Sequence, residues 1–413
     1  MHRETPLELD AVIFGGGATG LWLLDALRRR GDRAVLLEAG DLGSGQTVAS
    51  QGIIHGGLKY SLRGMLTASA RAIRDMPGRW RGSLAGETSP DLRHTRLRSS
   101  SCWLWQTNQL RSRMAMLGAL RGLAVTARTV EDHERPACLK DCPGTVARLD
   151  EQVIEPASFI ADLFAQYSDA ILAVDARGGI EIDQTASGTP LVRLLNPSNG
   201  EPLDLAPGRV VLCAGGGNAA LRALFNLTTD AMQRRPLHMV VARGDLPVLN
   251  GHCVDGMKTR ITITSTTDHA NRVIWQLGGQ VAEDGVGLEP SVQIERARDE
   301  LAAVLPGFDL SRVEFGTYRV DRAEAAGGRG QRPGDAVFLE DGPVITAWPT
   351  KLALVPRLVD ELIARFPAPP AADPDGAARR TLLARWPRPP VAAAPWDEEA
   401  TWINDHSAAP ASK

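Results

Sequence analysis

The residues of this chain best suited to chemistry open with Gly15-x-Gly17-x-x-Gly20 and reach Glu38, about 20 residues further on. Each type has a physical task there. Glycine permits a tight turn and close approach of the backbone to a pyrophosphate. A helix that starts at such a turn offers free N–H groups and partial positive charge, and a carboxylate accepts ribose hydroxyls. Ala18 and Thr19 lie within the same turn, which reads as a dinucleotide site. A 2′-phosphate would meet Glu38 as a second anion, which excludes NADP. NAD and FAD are both compatible with the turn alone.

The elements that must position these residues follow from the pattern around them. Asp10-Ala-Val-Ile-Phe14 is an apolar run without helical period and reads as a buried parallel strand. Leu21, Leu23, Leu24 and Leu27 give a helical stripe that stops at Gly31, and Arg33 to Glu38 form a second strand. The unit has the size of a βαβ crossover. Arg209 to Gly217 repeats the theme of a strand running into glycines, including Ala214 and Gly215. Val153 precedes a helix opening at Pro156. Short runs over 170–205 predict antiparallel hairpins, and 237–320 is strand-rich with a helix at 290–304. A strand at 336–348 and a helix at 352–366 follow.

These readings predict an α/β fold. A Rossmann-like nucleotide-binding domain is discontinuous over 8–63, 150–225 and 333–368. An antiparallel-sheet α+β substrate domain covers 226–332. Residues 64–149, rich in arginine, read as a helical insert with a strand at the SSSCWLWQ segment. Residues 369–413 are a Pro/Ala-rich, largely irregular tail, docked by Trp386, Trp396 and Trp402.

Bulk properties bound the function. With 413 residues the chain holds about two domains, and a formal charge of -3 provides no basic field for nucleic acid, so none is expected as a partner. The first ten residues lack the apolar core of a secretory signal, and no segment spans a bilayer. A cytoplasmic place is expected, with peripheral contact at the inner membrane face through the arginine-rich stretch 71–113. The five cysteines are odd in number and scattered, which fits a reducing compartment. Cys138 and Cys142 lack further ligands nearby, so no metal site is expected. GxSxG, HExxH, Walker A and CxxC motifs are absent.

The run Glu38-Ala-Gly-Asp-Leu-Gly-Ser-Gly-Gln-Thr-Val-Ala-Ser-Gln-Gly-Ile-Ile-His-Gly-Gly-Leu-Lys-Tyr60 resembles, without a gap, the flavin loop of FAD-dependent glycerol-3-phosphate dehydrogenases, within the D-amino-acid oxidase group. Val210 to Gly216, Arg235-Pro-Leu-His238, Tyr318-Arg319-Val-Asp-Arg and Thr350-Lys351-Leu resemble later segments of that family, less specifically. The resemblance implies FAD as cofactor and makes the Rossmann-like unit an FAD-binding domain. It places Ala39, Gly45, Gln46, Thr47, Ser50, Gln51 and Gly52 beside the cofactor. Val153, Ala214, Gly215, Lys351 and Leu352 join them.

The implied chemistry is hydride transfer from a substrate C–H bond to flavin N5, assisted by a base. His55 and His238 are the candidate bases, Arg319 the anion anchor, and Lys351 or Lys59 the cation at the flavin, with Tyr60 in the same loop. His55 has two other readings, a loop holder or a covalent tether for FAD, and His238 one, a sheet histidine. Two departures stand out. Lys59 replaces the family's arginine, and Pro349-Thr350-Lys351 with Ala353-Leu354 replace Gly-Gly-Lys and Thr-Thr. A lysine point charge grips phosphate less specifically than a guanidinium fork, which weighs against glycerol 3-phosphate itself. The expected substrate is a small anionic hydroxy compound, a polyol phosphate or 2-hydroxy acid. An amino acid or amine, a flavin protein without turnover and an NAD-dependent dehydrogenase are the alternatives. Quinone, oxygen and a soluble carrier all fit as electron acceptor.

Overall fold

The computed structural model describes residues 5–56, 73–107, 127–185, 188–255, 258–327, 333–369, 373, 376–398 and 401–403. The strand Leu7–Phe14 is buried on both faces: Leu9, Val12 and Phe14 enter one apolar cluster, and Ala11 and Ile13 another. Such two-sided burial suits the centre of a parallel sheet. It pairs in parallel with Ala34–Glu38 (Ile13 opposite Leu36) and with Pro202–Leu212 (Val12 opposite Val210). Ile171–Ala173 extends the sheet beyond Ala34–Glu38, and Val344–Trp348 with Val337–Asp341 extend it on the other side. The hairpins expected over 170–205 form, Ile180–Gln184 pairing antiparallel with Pro190–Leu195 and the latter with Pro202–Leu212.

Helix Ala18–Arg30 ends where Gly31 turns left-handed (φ 97°), its N–H donating to the Leu27 and Arg28 carbonyls, with Arg28, Arg29 and Arg30 in the last turn. Glycine and cations are what a helix C-terminus favours. This helix packs through Trp22 against Trp80 (ring centroids 4.8 Å apart) and Phe159 (6.2 Å).

Trp80 marks a correction, because it sits on helix Met76–Leu84, within the stretch read as a separate helical insert, yet belongs to the core of the nucleotide-binding half. Cys102–Gln106, Ala127–Thr129 and Val146–Leu149, from the same stretch, are strands that extend the second sheet. Arginines that looked free to face lipid pair within the chain: Arg79 with Asp360, Arg81 with Asp150, Arg93 with Asp91 and Arg98 with Glu155.

The second sheet runs Trp402–Ile403, Glu314–Ala325, Met232–Arg243, Val273–Gly278, Lys258–Thr267, Gly251–Asp255, Cys102–Gln106, Val146–Leu149 and Ala127–Thr129. It is antiparallel except where Gly251–Asp255 meets Cys102–Gln106. Helices Gln280–Asp284 and Pro290–Val304 pack on it. The tail is more regular than expected, with a helix at Gly376–Ala384 and a strand at its far end. Its Trp386, Trp396 and Trp402 are buried, and all five cysteines are buried with none in a disulfide. Among the described residues no helix is long and apolar enough to cross a membrane.

Candidate cofactor and substrate site

The glycine turn divides its labour among three residues. Gly15 is left-handed (φ 106°) and so close to the Ala214 backbone that an added Cβ would lie 2.6 Å from it. At Gly20 a Cβ would lie 1.9 Å from the Gly15 carbonyl oxygen, so helix and strand touch only because no side chain intervenes. Gly17 faces open space, with Thr47 Oγ1 at 3.3 Å from an added Cβ as its only near neighbour. It also caps the helix without a side-chain bond and without an acid in the first turn, leaving that end positive.

Glu38 stands at the carboxyl end of the neighbouring strand. Its Oε2 accepts the Gly16 N–H at 2.6 Å and its Oε1 the Gly40 N–H at 2.8 Å. The loop beyond it folds back over the turn, Gly43 N–H donating to the Gly16 carbonyl and Ala18 N–H to Thr47 Oγ1. Gln46 Oε1 accepts the Ala323 N–H at 3.0 Å, which ties this loop to the second sheet.

A cavity of about 750 Å3 runs from the glycine turn to that sheet. Of the residues expected at the cofactor, Gly15, Gly17, Ala18, Thr19, Glu38, Gly45, Gln46, Thr47, Ser50, Ala214, Gly215, Lys351 and Leu352 line it. A cradle bare of side chains, a positive helix end and a held carboxylate fit a dinucleotide such as FAD. Gly20, Ala39, Gln51, Gly52 and Val153 do not line the cavity. Gln51 Nε2 donates to the Thr262 and Gln276 carbonyls, while Gly52 (φ 69°) crosses tightly over Ile154 and Val153 is buried beside Ile53. They hold the loop in shape.

Lys351 is buried and lines the cavity. It follows Thr350, a β-branched residue at φ 59°, where the resembling family carries glycine. Thr350 Oγ1 donates to the Asp335 carbonyl at 3.2 Å, which helps hold that conformation.

His238 and Arg319 correct the expectation. They sit opposite each other on adjacent strands and therefore share one face of the sheet, while Met239 and Tyr318 share the other. His238 is fully buried, with Nδ1 3.0 Å from the Gly285 carbonyl under the covering helices. Burial, together with the Arg319 charge, lowers its pKa. Arg319 borders the cavity, but its guanidinium donates to the Val286 carbonyl at 2.5 Å and the Leu288 carbonyl at 2.7 Å. The side chain that reaches the cavity side is Tyr318, whose hydroxyl donates to the Ala49 carbonyl at 3.0 Å and accepts from Gln276 Nε2 at 2.5 Å. Burial pushes the Tyr318 phenol well above its ordinary value, so it stays neutral.

His55 lies outside the cavity lining, with Nδ1 3.5 Å from Glu151 Oε2. Lys59 and Tyr60 lie outside the described residues. Sequence reasoning missed Tyr318 and Gln276 at the loop, Arg234 and Asp321 in the cavity (3.2 Å apart), and Glu151 with His252 behind it. For Tyr318 and Asp321 a signal existed, since both lie with Arg319 in the quoted segment. The others carry no motif.

Comparison with known proteins agrees with this geometry. The FAD dependent oxidoreductase family matches residues 10–355. A curated relative, the probable FAD-dependent oxidoreductase PA4991 of Pseudomonas aeruginosa, is 40% identical over 398 residues, 95% of this chain and 98% of its own. The crystal structure of that oxidoreductase superposes with a TM-score of 0.76 at 36% identity, covering 96% of this chain and 99% of the other. Glycine oxidase from Geobacillus kaustophilus (TM-score 0.58, 17% identity, 89% and 97% covered) shares the fold. So does L-alpha-glycerophosphate oxidase from Mycoplasma pneumoniae (0.60, 14%, 86% and 94%). The chain belongs to the FAD-dependent oxidoreductase family.

Proposed function

We propose that this enzyme oxidises a small anionic substrate bearing a hydroxyl or amino group, held between the flavin-side loop and the second sheet. The observation that carries the reading is the single cavity that joins the glycine turn and Glu38 to Tyr318 and the buried Lys351. FAD bound there would supply the hydride acceptor at N5. Lys351, desolvated against the protein, offers a positive charge to a substrate anion or to the pyrimidine end of the cofactor. Tyr318, neutral and tied to Ala49, fixes the loop over the reacting region and acts as a wall there. The docked tail, through Pro395, Glu398 and Thr401, narrows access for water.

A hydroxy compound leads this reading. A zwitterionic amino compound is the second, favoured by Asp321 and Glu398, which line the same cavity as Lys351 and suit an ammonium group. The fold itself serves both bonds, as glycine oxidase and glycerophosphate oxidase share it. Anaerobic mixing with 2-hydroxy acids, glycerol 3-phosphate, amino acids and secondary amines tests the reading through bleaching of the flavin absorbance. Bleaching by one anionic class is expected, with kcat/KM falling about 100-fold in Lys351→Met. Bleaching by none of them, with FAD bound, would sink the proposal. An oxygen electrode run beside a quinone analogue and a soluble dye identifies the acceptor.

A further inference from the structure

We infer that His55, Glu151 and His252 form a site for one divalent transition-metal ion, with zinc the best fit, which fastens the flavin-side loop to the second sheet. His55 Nδ1 stands 3.5 Å and His252 Nε2 3.8 Å from Glu151 Oε2, and one ligand atom from each residue lies within 4.8 Å of the others. A good N–H···O hydrogen bond spans about 2.9 Å. Nitrogen and oxygen ligands at about 2.1 Å around a tetrahedral ion stand roughly 3.4 Å apart. The two separations from Glu151 lie nearer the second pattern, and the two imidazole nitrogens, within 4.8 Å of each other, complete it by closing up to about 1.4 Å.

Charge points the same way. Glu151 and His252 are 2% and 1% exposed. A buried carboxylate requires a compensating positive charge, and a divalent ion held among the three groups would supply it. The surroundings are organised as ligand supports. His252 Nδ1 is 2.8 Å from Thr262 Oγ1, and Glu151 Oε1 accepts the Gly56 N–H at 2.7 Å. These bonds direct His252 Nε2 and Glu151 Oε2 toward a common point, as outer partners of metal ligands do. Two imidazoles and one carboxylate suit zinc, cobalt or ferrous ion and leave a coordination position for water, whereas calcium and magnesium prefer oxygen alone.

The three ligands come from separate parts of the chain. His55 follows the flavin-side loop, Glu151 precedes the Val153–Ile154 strand, and His252 lies on the Gly251–Asp255 strand of the second sheet. An ion here would therefore fix the loop that lines the cavity against the sheet that closes it. That scattering is why no metal motif shows in the sequence.

The test uses the FAD-bound full chain without a histidine tag, stripped with a chelator and titrated with Zn2+ or Co2+ alone. One equivalent of zinc by atomic spectroscopy, a raised melting midpoint and intense visible bands of low-coordinate cobalt are expected. His252→Gln and Glu151→Gln should each weaken zinc binding at least about 100-fold while flavin absorbance persists. Zinc uptake equal in wild type and His252→Gln would overturn the site. If either variant fails to fold, the wild-type cobalt spectrum decides alone, since the weak bands of an aquo ion, or none, would also overturn it.

Discussion

Gly20 and Gly17 belong to one motif but face different physics. A methyl group at Gly20 would collide with the Gly15 carbonyl oxygen, which is backbone and unable to yield. Gly20→Ala should therefore cost about 3 kcal/mol or more and release the flavin, read as a lower melting midpoint and loss of the yellow colour. Gly17→Ala meets only Thr47 Oγ1 and should fold normally while weakening FAD binding by roughly tenfold, measured by fluorescence titration. Asp25 carries a different prediction. It is buried on the packed side of the first helix and accepts a hydrogen bond from the Tyr167 hydroxyl at 2.7 Å. Burial raises its pKa, against the opposing Tyr167 hydrogen bond. A raised folded-state value means the protonated form is favoured on folding, so stability is greatest below the unfolded value near 3.8 and falls as pH rises through the folded one. Asp25→Asn, which accepts the same bond without charge, should raise the melting midpoint at neutral pH, on the order of 1–2 °C. Scans repeated toward pH 4 should show the two proteins converge; a gap that widens on acidification would contradict the assignment.

At the scale of elements the decisive property is strand parity. At Tyr318 and Arg319 neighbouring side chains part, the Tyr318 hydroxyl reaching Ala49 and the Arg319 guanidinium the Val286 and Leu288 carbonyls, so the Arg319 charge is engaged away from the flavin-side loop. Arg319→Ala should thus leave the substrate KM within about twofold, while Tyr318→Phe, which removes a hydroxyl bonded to Ala49 and Gln276, should cost roughly 1 kcal/mol. It should also speed hydrogen exchange over the loop near Ala49. A tenfold rise in KM for Arg319→Ala would restore its anchoring role. The same property explains what was legible in the sequence. The first strand, helix and second strand were readable because local periodicity and glycine spacing encode them, and with them a dinucleotide site; FAD in particular came from the resemblance of the loop after Glu38. His238 and Arg319 were assigned to the right strands, but the face each presents depends on register against a partner far along the chain, which local pattern does not contain. The stretch 64–149 misled for a related reason. Its helical spacing is real at Met76–Leu84, yet Trp80 packs on Trp22, and the later strands pair with Gly251–Asp255 and each other. Only tertiary pairing distributes them between two domains.

The whole molecule is bridged by its tail. Near the first sheet, Trp386 Nε1 donates to the Ala173 carbonyl, the Ala173 N–H to the Pro387 carbonyl, and the Leu42 N–H to the Pro390 carbonyl. Beyond Ala392 the chain lines the cavity, and His269 meets Asp397 at 2.9 Å. It then reaches the second sheet, where Trp402 pairs with Gly316 and lies under the Arg243 guanidinium at 4.1 Å. Between the two ends Ala392 N–H donates to the Leu42 carbonyl and Trp396 packs with Val241 and Ile274, so the segment is gripped from both sheets. Trp386→Ala and Trp402→Ala should each lower stability by about 2–4 kcal/mol and shift flavin release to lower temperature. Because either loss already frees the connecting segment, the double variant should release flavin little earlier than the weaker single variant. Strict additivity in flavin-release temperature would instead mean that each tryptophan acts only on its own sheet. Fluorescence of freed FAD and far-ultraviolet dichroism, followed in the same scan, separate the two cases. A coupled strap frees flavin before the sheets melt, whereas two independent anchors lose flavin and sheet structure together.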